Sequence, residues 1–115
     1  MAKHFSSDPA ALDRGFHALS DATRRAVIAR LTKGEASVAE LAAPFDMALP
    51  SFLQHVKVLE GAGLITTVKR GRVRTCTLAA GRLAELNQWI NRHEAAWVRK
   101  LDRLGAILDR KDDTQ

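Results

Sequence analysis

Ser37-Val-Ala-Glu-Leu-Ala-Ala-Pro44 opens a stretch, closing at Thr77-Leu78, from which the fold of this 115-residue chain follows. Ser37 and Glu40 have capping-box spacing: the hydroxyl accepts from the Glu40 backbone and the carboxylate reaches back to the Ser37 N–H. The helix so started is short, because Pro44 cannot continue it. A second helix is expected from Leu49-Pro50 to Gly61 or Gly63, with Phe52, Val56 and Leu59 at i, i+4 and i+7 on its core face. Leu64 to Val68 and Val73 to Leu78 are rich in β-branched residues and read as strands, with Arg70-Gly71 as the turn. Gly71 suits that turn, since hairpin loops often need positive φ. Helix, turn, helix and basic hairpin is the order of a winged helix-turn-helix.

Outward from this stretch the pattern is mostly helical. Pro9 can occupy a first turn, and Leu12, Phe16 and Leu19 follow at spacings of four and three. Asp21 is a good N-cap for the next helix, whose stripe is Val27, Ile28 and Leu31 and whose stop is Lys33-Gly34. From about Ala80 to Arg110 one long helix is expected, with Leu83, Leu86, Ile90, Trp97, Leu101, Leu104 and Leu108 near the 3.6-residue period and His93 in the same row. About 30 helical residues span roughly 45 Å, more than a domain of this size can cover, so the helix should project. Its stripe, with Trp89 and Trp97 on or beside it, asks for a partner surface, and a second copy of the chain is the simplest. The expected architecture is therefore mainly α with a small β-hairpin: five helices and a two-stranded wing over residues 9–110, preceded by a flexible tail over 1–8.

Charge is distributed unevenly along this plan. Residues 61–84 hold five basic residues and no acidic one, whereas residues 1–60 hold seven of each sign and 85–115 six of each, so the net charge of +5 falls just after the second helix of the motif. Double-stranded DNA rewards such an excess, because each neutralised phosphate releases condensed counterions. An apolar fraction of 46% with 27% charged residues fits one globular domain. No apolar run approaches the roughly 18–20 residues that span a bilayer, and His4, Ser6, Ser7 and Asp8 interrupt any signal-peptide core. A cytoplasmic location and no membrane partner are expected. The single cysteine, Cys76, agrees with a reducing compartment and excludes an intrachain disulfide. A sulfenic acid or an intersubunit bridge stays open beside its simpler role as a small core residue.

The exposed side of the second motif helix carries the candidate reading residues. Gln54 can pair bidentately with adenine, Pro50 and Ser51 lie at the start of the helix, and Lys57 can meet a phosphate or guanine. His55 can donate to a phosphate or base, and Leu53, if outward, can touch a thymine methyl. Lys69, Arg70, Arg72 and Arg74 suit phosphates or the minor groove, although Arg74 shares a strand face with Cys76 and Leu78. His4, His17, His55 and His93 are scattered, and no pair has ligand spacing on one helix face with a carboxylate. No metal site and no cofactor are expected. Phosphate loops, H-E-x-x-H and nucleophile elbows are absent from the sequence, which argues against an enzyme.

In Ala18-Leu-Ser-Asp-Ala-Thr-Arg-Arg25, Ser37-Val-Ala-Glu-Leu41, Gln54-His-Val-Lys-Val-Leu-Glu-Gly-Ala-Gly-Leu-Ile65, Gly71-Arg72 and Leu78 the chain resembles the ArsR-type (ArsR/SmtB) winged-helix repressors of bacteria. The resemblance implies a homodimer built from the first and last helices, binding an inverted-repeat operator and repressing transcription. On that model Leu12 and Phe16 join Leu86, Trp89, Ile90, His93, Trp97, Leu101 and Leu104 in the dimer interface. Metal-sensing members carry a Cys-x-Cys pair where this chain has Ser37 and Ala39, and the alternative site on the last helix would find only His93. Ala48 stands where a capping Ser or Thr is common, and Leu53 where Ser is common. Trp89, Trp97 and Leu101-Asp-Arg-Leu104 look like a non-metal subgroup. A metal-independent regulator is thus expected, with a small-molecule or protein effector left open. Two alternatives remain: a winged-helix module whose main partner is protein, and a repressor gated by an apolar ligand near Trp89 and Trp97.

Overall fold

The structure, a computed structural model, describes residues 8–113, with side chains as far as Asp109. Three helices begin where a side-chain oxygen accepts an otherwise free backbone N–H. Asp8 caps α1 (Pro9–Ala18), Asp21 caps α2 (Ala22–Leu31), and Ser37 with Glu40 forms the reciprocal box on α3 (Val38–Ala42). The hydrogen bond from the Arg24 backbone holds the Asp21 carboxyl below the usual carboxylate range, and the Ser37 backbone does the same for Glu40. α4 (Leu49–Gly61) starts from Ala48 with no side-chain cap, as its sequence predicts, and Pro50 sits in its first turn. The tail expected over residues 1–8 falls outside the described residues except for Asp8, which belongs to the start of α1.

The hairpin forms with its turn one residue later than expected. β2 (Ile65–Arg70) pairs antiparallel with β3 (Val73–Leu78), and Arg70 lies opposite Val73. That leaves Gly71-Arg72 as the loop, with Gly71 at φ 62° and Arg72 in the ordinary negative region. Positive φ at the first loop residue alone is the type II′ pattern, which matches the twist of the strands. The wing is also not two-stranded alone. β1 (Ala36–Ser37) pairs with β3, giving the order β1-β3-β2. Two residues show no period, so β1 is invisible to periodicity; the extended backbone that Ser37 needs as a cap (φ −73°, ψ 159°) also lets it join a ladder.

Phe52, Leu59, Leu64, Ile65, Val27 and Cys76 are the largest fully buried side chains. The predicted core face of α4 therefore sits at the centre of the molecule, between α2 and the base of the hairpin. α5 (Ala80–Asp113) runs for 34 residues, about 51 Å at 1.5 Å per residue. Its start packs on α1, where Gly15 admits Leu86: a Cβ there would lie 2.8 Å from Leu86 Cδ2. Leu86 is 2% exposed. It is part of the protomer's own core and leaves the expected dimer surface, because the absence of a side chain at Gly15 draws it inward. Farther along, Trp97, Leu101, Leu104 and Leu108 are exposed. The projecting helix raises the radius of gyration to 19.9 Å, against about 13 Å for a compact chain of this length.

One buried side chain joins the helices around the motif. Arg24, 9% exposed, donates from Nε to the Ala18 carbonyl at 2.7 Å and from Nη2 to the His17 carbonyl at 3.2 Å. Its Nη1 lies 3.0 Å from His55 Nδ1. Arg24 thus satisfies the orphan Ala18 carbonyl at the end of α1, adds a donor to the His17 carbonyl, which already accepts from Ser20 N–H and Oγ, and ties both to α4. Arg24→Ala should lower unfolding free energy in urea by about 1–3 kcal/mol, since it strands the buried Ala18 carbonyl. Arg24→Lys should recover less than half of that loss, because an ammonium cannot span three separated acceptors as the guanidinium fork does.

Candidate nucleic-acid interface

Successive residues of α4 turn by about 100°, so burying Phe52, Val56 and Leu59 directs Pro50, Gln54 and Lys57 to the opposite side. All three are exposed. Leu53 and Leu49 flank them toward the hairpin, 37% and 54% exposed, and Ser51 is exposed on the other flank. Pro50, Leu53, Gln54 and Lys57 share one cleft of about 680 Å³ with Lys69, Arg72 and Arg74. Ser51 and Arg70 do not line it.

His55 is turned differently from the other candidates. About 100° from Gln54, it faces α2, half-buried, with Nδ1 against Arg24 and 3.7 Å from Asp21 Oδ2. A guanidinium only donates, so Nδ1 accepts and a neutral ring carries its proton on Nε2. The His55 ring is thus engaged with the Arg24 junction through Nδ1, and Nε2–H is the ring's one donor.

Strand register explains Arg74. It shares the face of Cys76 and Leu78, as the alternation requires, and Cys76 is fully buried. Two residues nearer the tip that face has passed the edge of the core, and Arg74 emerges exposed into the cleft. Its cross-strand partner is Lys69, so two like charges stand directly opposite, an arrangement that is unfavourable without an anion. Arg72 lies in the turn, and Arg70 points to the other face of the hairpin. Thr67 Oγ1 donates to Glu60 Oε2 at 2.8 Å, which fastens the hairpin to the end of α4.

Two other sequence candidates change meaning in three dimensions. Arg82, the fifth base of the 61–84 segment, pairs through Nη1 with Glu85 Oε2 at 2.9 Å, and Glu85 is 5% exposed. The uncompensated charge is therefore that of the hairpin. Cys76 is sealed in the core; burial pushes its thiol up, the Glu60 carboxylate adds to the rise and Arg74 opposes it. A buried, protonated thiol is a poor nucleophile, which leaves Cys76 as a packing residue.

Part of the expected interface row forms a second constellation, on α1 and the middle of α5. Leu12, Phe16 and Trp89 line a cavity of about 480 Å³ with Pro9 and Asp13. Phe16 meets Trp89 edge to face at 5.5 Å, and His93 stacks on the indole at 4.2 Å. His93 Nδ1 lies 2.9 Å from the Trp89 carbonyl, which can only accept, so Nδ1 carries the proton. Ile90 is exposed beside them. Among the described residues no three His, Cys, Asp or Glu side chains are grouped to hold a metal, and no helix is long and apolar enough to cross a membrane; His4 lies outside those residues.

A helix-turn-helix domain model matches residues 19–68, which spans α2 to most of β2. The chain is 36% identical over 101 residues to the HTH-type transcriptional regulator Rv2034 of Mycobacterium tuberculosis, covering 88% of this chain and 92% of that one. It is 28% identical over 75 residues to the transcriptional repressor SdpR of Bacillus subtilis, covering 65% and 83%. A crystal structure of an ArsR family transcriptional regulator superimposes with a TM-score of 0.75 at 46% identity, covering 84% of this chain and 96% of that one.

The opposed Lys69 and Arg74 charges yield a test that needs no ligand. Lys69→Gln should raise the stability of the free protein at low ionic strength by roughly 0.2–0.5 kcal/mol, allowing for solvent screening. The gain should vanish near 1 M salt, where the Debye length is about 3 Å. Urea unfolding at the two ionic strengths measures both values.

Proposed function

The chain belongs to the ArsR family of transcriptional regulators, and on that premise we propose that it is a homodimeric, metal-independent repressor. In this reading it works in the cytoplasm and docks α4 in the major groove of an inverted-repeat operator. The observation that carries the reading is the single cleft in which the exposed side of α4 meets Lys69, Arg72 and Arg74 of the hairpin. Pro50, Ser51, Leu53, Gln54 and Lys57 face the groove, and His55 supports them from behind through Arg24. Gln54 offers an amide to adenine, while Lys57, Lys69, Arg70, Arg72 and Arg74 neutralise phosphates.

Dimerisation supplies the second half-site reader. Two recognition helices must be spaced by about one turn of DNA, roughly 34 Å, to meet the same face. Leu12, Phe16, Trp89, Ile90, His93, Trp97, Leu101 and Leu104 form the proposed contact. Support comes from the length of α5 and from Trp97, Leu101 and Leu104 standing 60%, 47% and 52% exposed along one side of it. Such a row is too large and continuous for an unpartnered surface. Metal independence is supported by Ser37 and Ala39 at the start of α3, which provide no thiolate.

Fluorescence anisotropy with a labelled fragment from upstream of the gene and a scrambled duplex tests the DNA reading. Gln54→Ala should cost about 1–3 kcal/mol more on the cognate duplex than on the scrambled one, while Arg72→Ala should weaken both and reduce the salt slope by about 1. EDTA or Zn²⁺ should leave wild-type binding unchanged. Equal affinity for the two duplexes in the wild type would overturn operator recognition through this fragment. For the dimer, the double variant Trp97→Glu/Leu101→Glu should sediment as a monomer with its helical circular dichroism retained, and should bind the operator more weakly. A variant that still sediments as a dimer would move the interface elsewhere.

A further inference from the structure

Leu49 and Leu53 stand out on the face of α4 that lines the cleft. They are 54% and 37% exposed, although the core beneath them is complete: Phe52 and Leu59 have no exposed surface and Val56 only 2%. One exposed leucine needs no explanation. These two are one helical turn apart and form a single apolar ridge beside the Gln54 amide, with Pro50 at its head and Lys57 beyond, all lining the same cleft.

The chemistry of the major groove leaves such a ridge one matching partner. Base edges there present hydrogen-bond donors and acceptors, and the thymine C5-methyl is their one apolar group. Cytosine carries only a hydrogen at C5, with an N4 amino donor where thymine has O4, so it offers the leucine no methyl. Gln54, next to the ridge, complements adenine N6 and N7. We propose that the Leu49–Leu53 ridge reads thymine by its 5-methyl group, so that each operator half-site prefers a thymine beneath Leu53, next to the base addressed by Gln54. The inference rests on the docking of α4 in the major groove stated above, and it names what that site selects.

Deoxyuridine removes the methyl and leaves every hydrogen-bonding group in place. The full-length protein is first used to enrich duplexes from a randomised pool. Thymines of the enriched duplex are then replaced by deoxyuridine one position at a time, symmetrically in both half-sites. One position should weaken wild-type binding roughly threefold to fourfold per half-site, the value of one methyl-sized apolar group removed from water. Substituting both half-sites should then cost about tenfold. Leu53→Ser should bind the thymine and deoxyuridine duplexes equally, and its thermal unfolding should stay within a few degrees of the wild type because the side chain is outside the core cluster. Placing 5-methylcytosine at that position should bind better than cytosine for the wild type and no better for Leu53→Ser. Uniform indifference of the wild type to deoxyuridine, or an undiminished penalty in Leu53→Ser, would overturn the methyl reading while leaving groove docking intact. A pool that yields no enriched duplex would overturn the docking itself, and the methyl reading with it.

Discussion

The guanidinium of Arg24 is the joint on which the arrangement of this molecule depends. α1 ends with carbonyls that no further helical turn can satisfy, α2 begins four residues later, and α4 must be held at a defined angle to both. A single buried cation meets all three needs, donating to His17 and Ala18 and to the His55 ring. The geometry also suits its charge, since the end of α1 carries the negative pole of the helix dipole. Asp21, whose carboxylate accepts from the Arg24 backbone, lies within 3.7 Å of the same ring. The motif helix that faces solvent with Gln54 and Lys57 is thus anchored on its opposite flank to the helix that carries Leu12 and Phe16.

Electrostatics act on the other side of α4. The hairpin places Lys69 and Arg74 across from each other; Glu60 lines the same cleft and accepts from the Thr67 hydroxyl, and among the described residues it forms no ion pair with either base. The free protein therefore holds a like-charge pair that an anion can relieve. The positive field is local: Arg82, next in sequence, is neutralised by Glu85. What distinguishes this basic segment from an ordinary solvated face is the lack of carboxylate partners at the hairpin tip.

α5 divides into two parts with different partners. Up to Leu86 it is a core helix, admitted to α1 by the missing side chain of Gly15. Around Trp89 it turns aromatic, with Phe16 and His93 packed on the indole. From Trp97 onward its apolar row has no covering element among the described residues. One uninterrupted hydrophobic period thus serves first the chain's own interior and then a surface that extends past it.

Local and periodic chemistry made most of the fold legible from residues alone. Caps at Asp21 and Ser37, the stop at Pro44, the core stripe of α4 and the glycine of the hairpin turn each act within a few residues, so the winged helix-turn-helix order and the exposed side of α4 follow from residues alone. The family motif around Arg24 was also visible, but its role was not, because its three acceptors lie six, seven and thirty-one residues away. Tertiary structure alone decided that His55 turns to Arg24, that Arg74 emerges from the sheet edge, that β1 joins β3 and that Leu86 is interior. Each of these depends on where a side chain stands relative to the edge of a packed layer, and that edge is set by elements distant in the chain. Period and spacing determine which face a residue occupies; only packing determines where that face is covered.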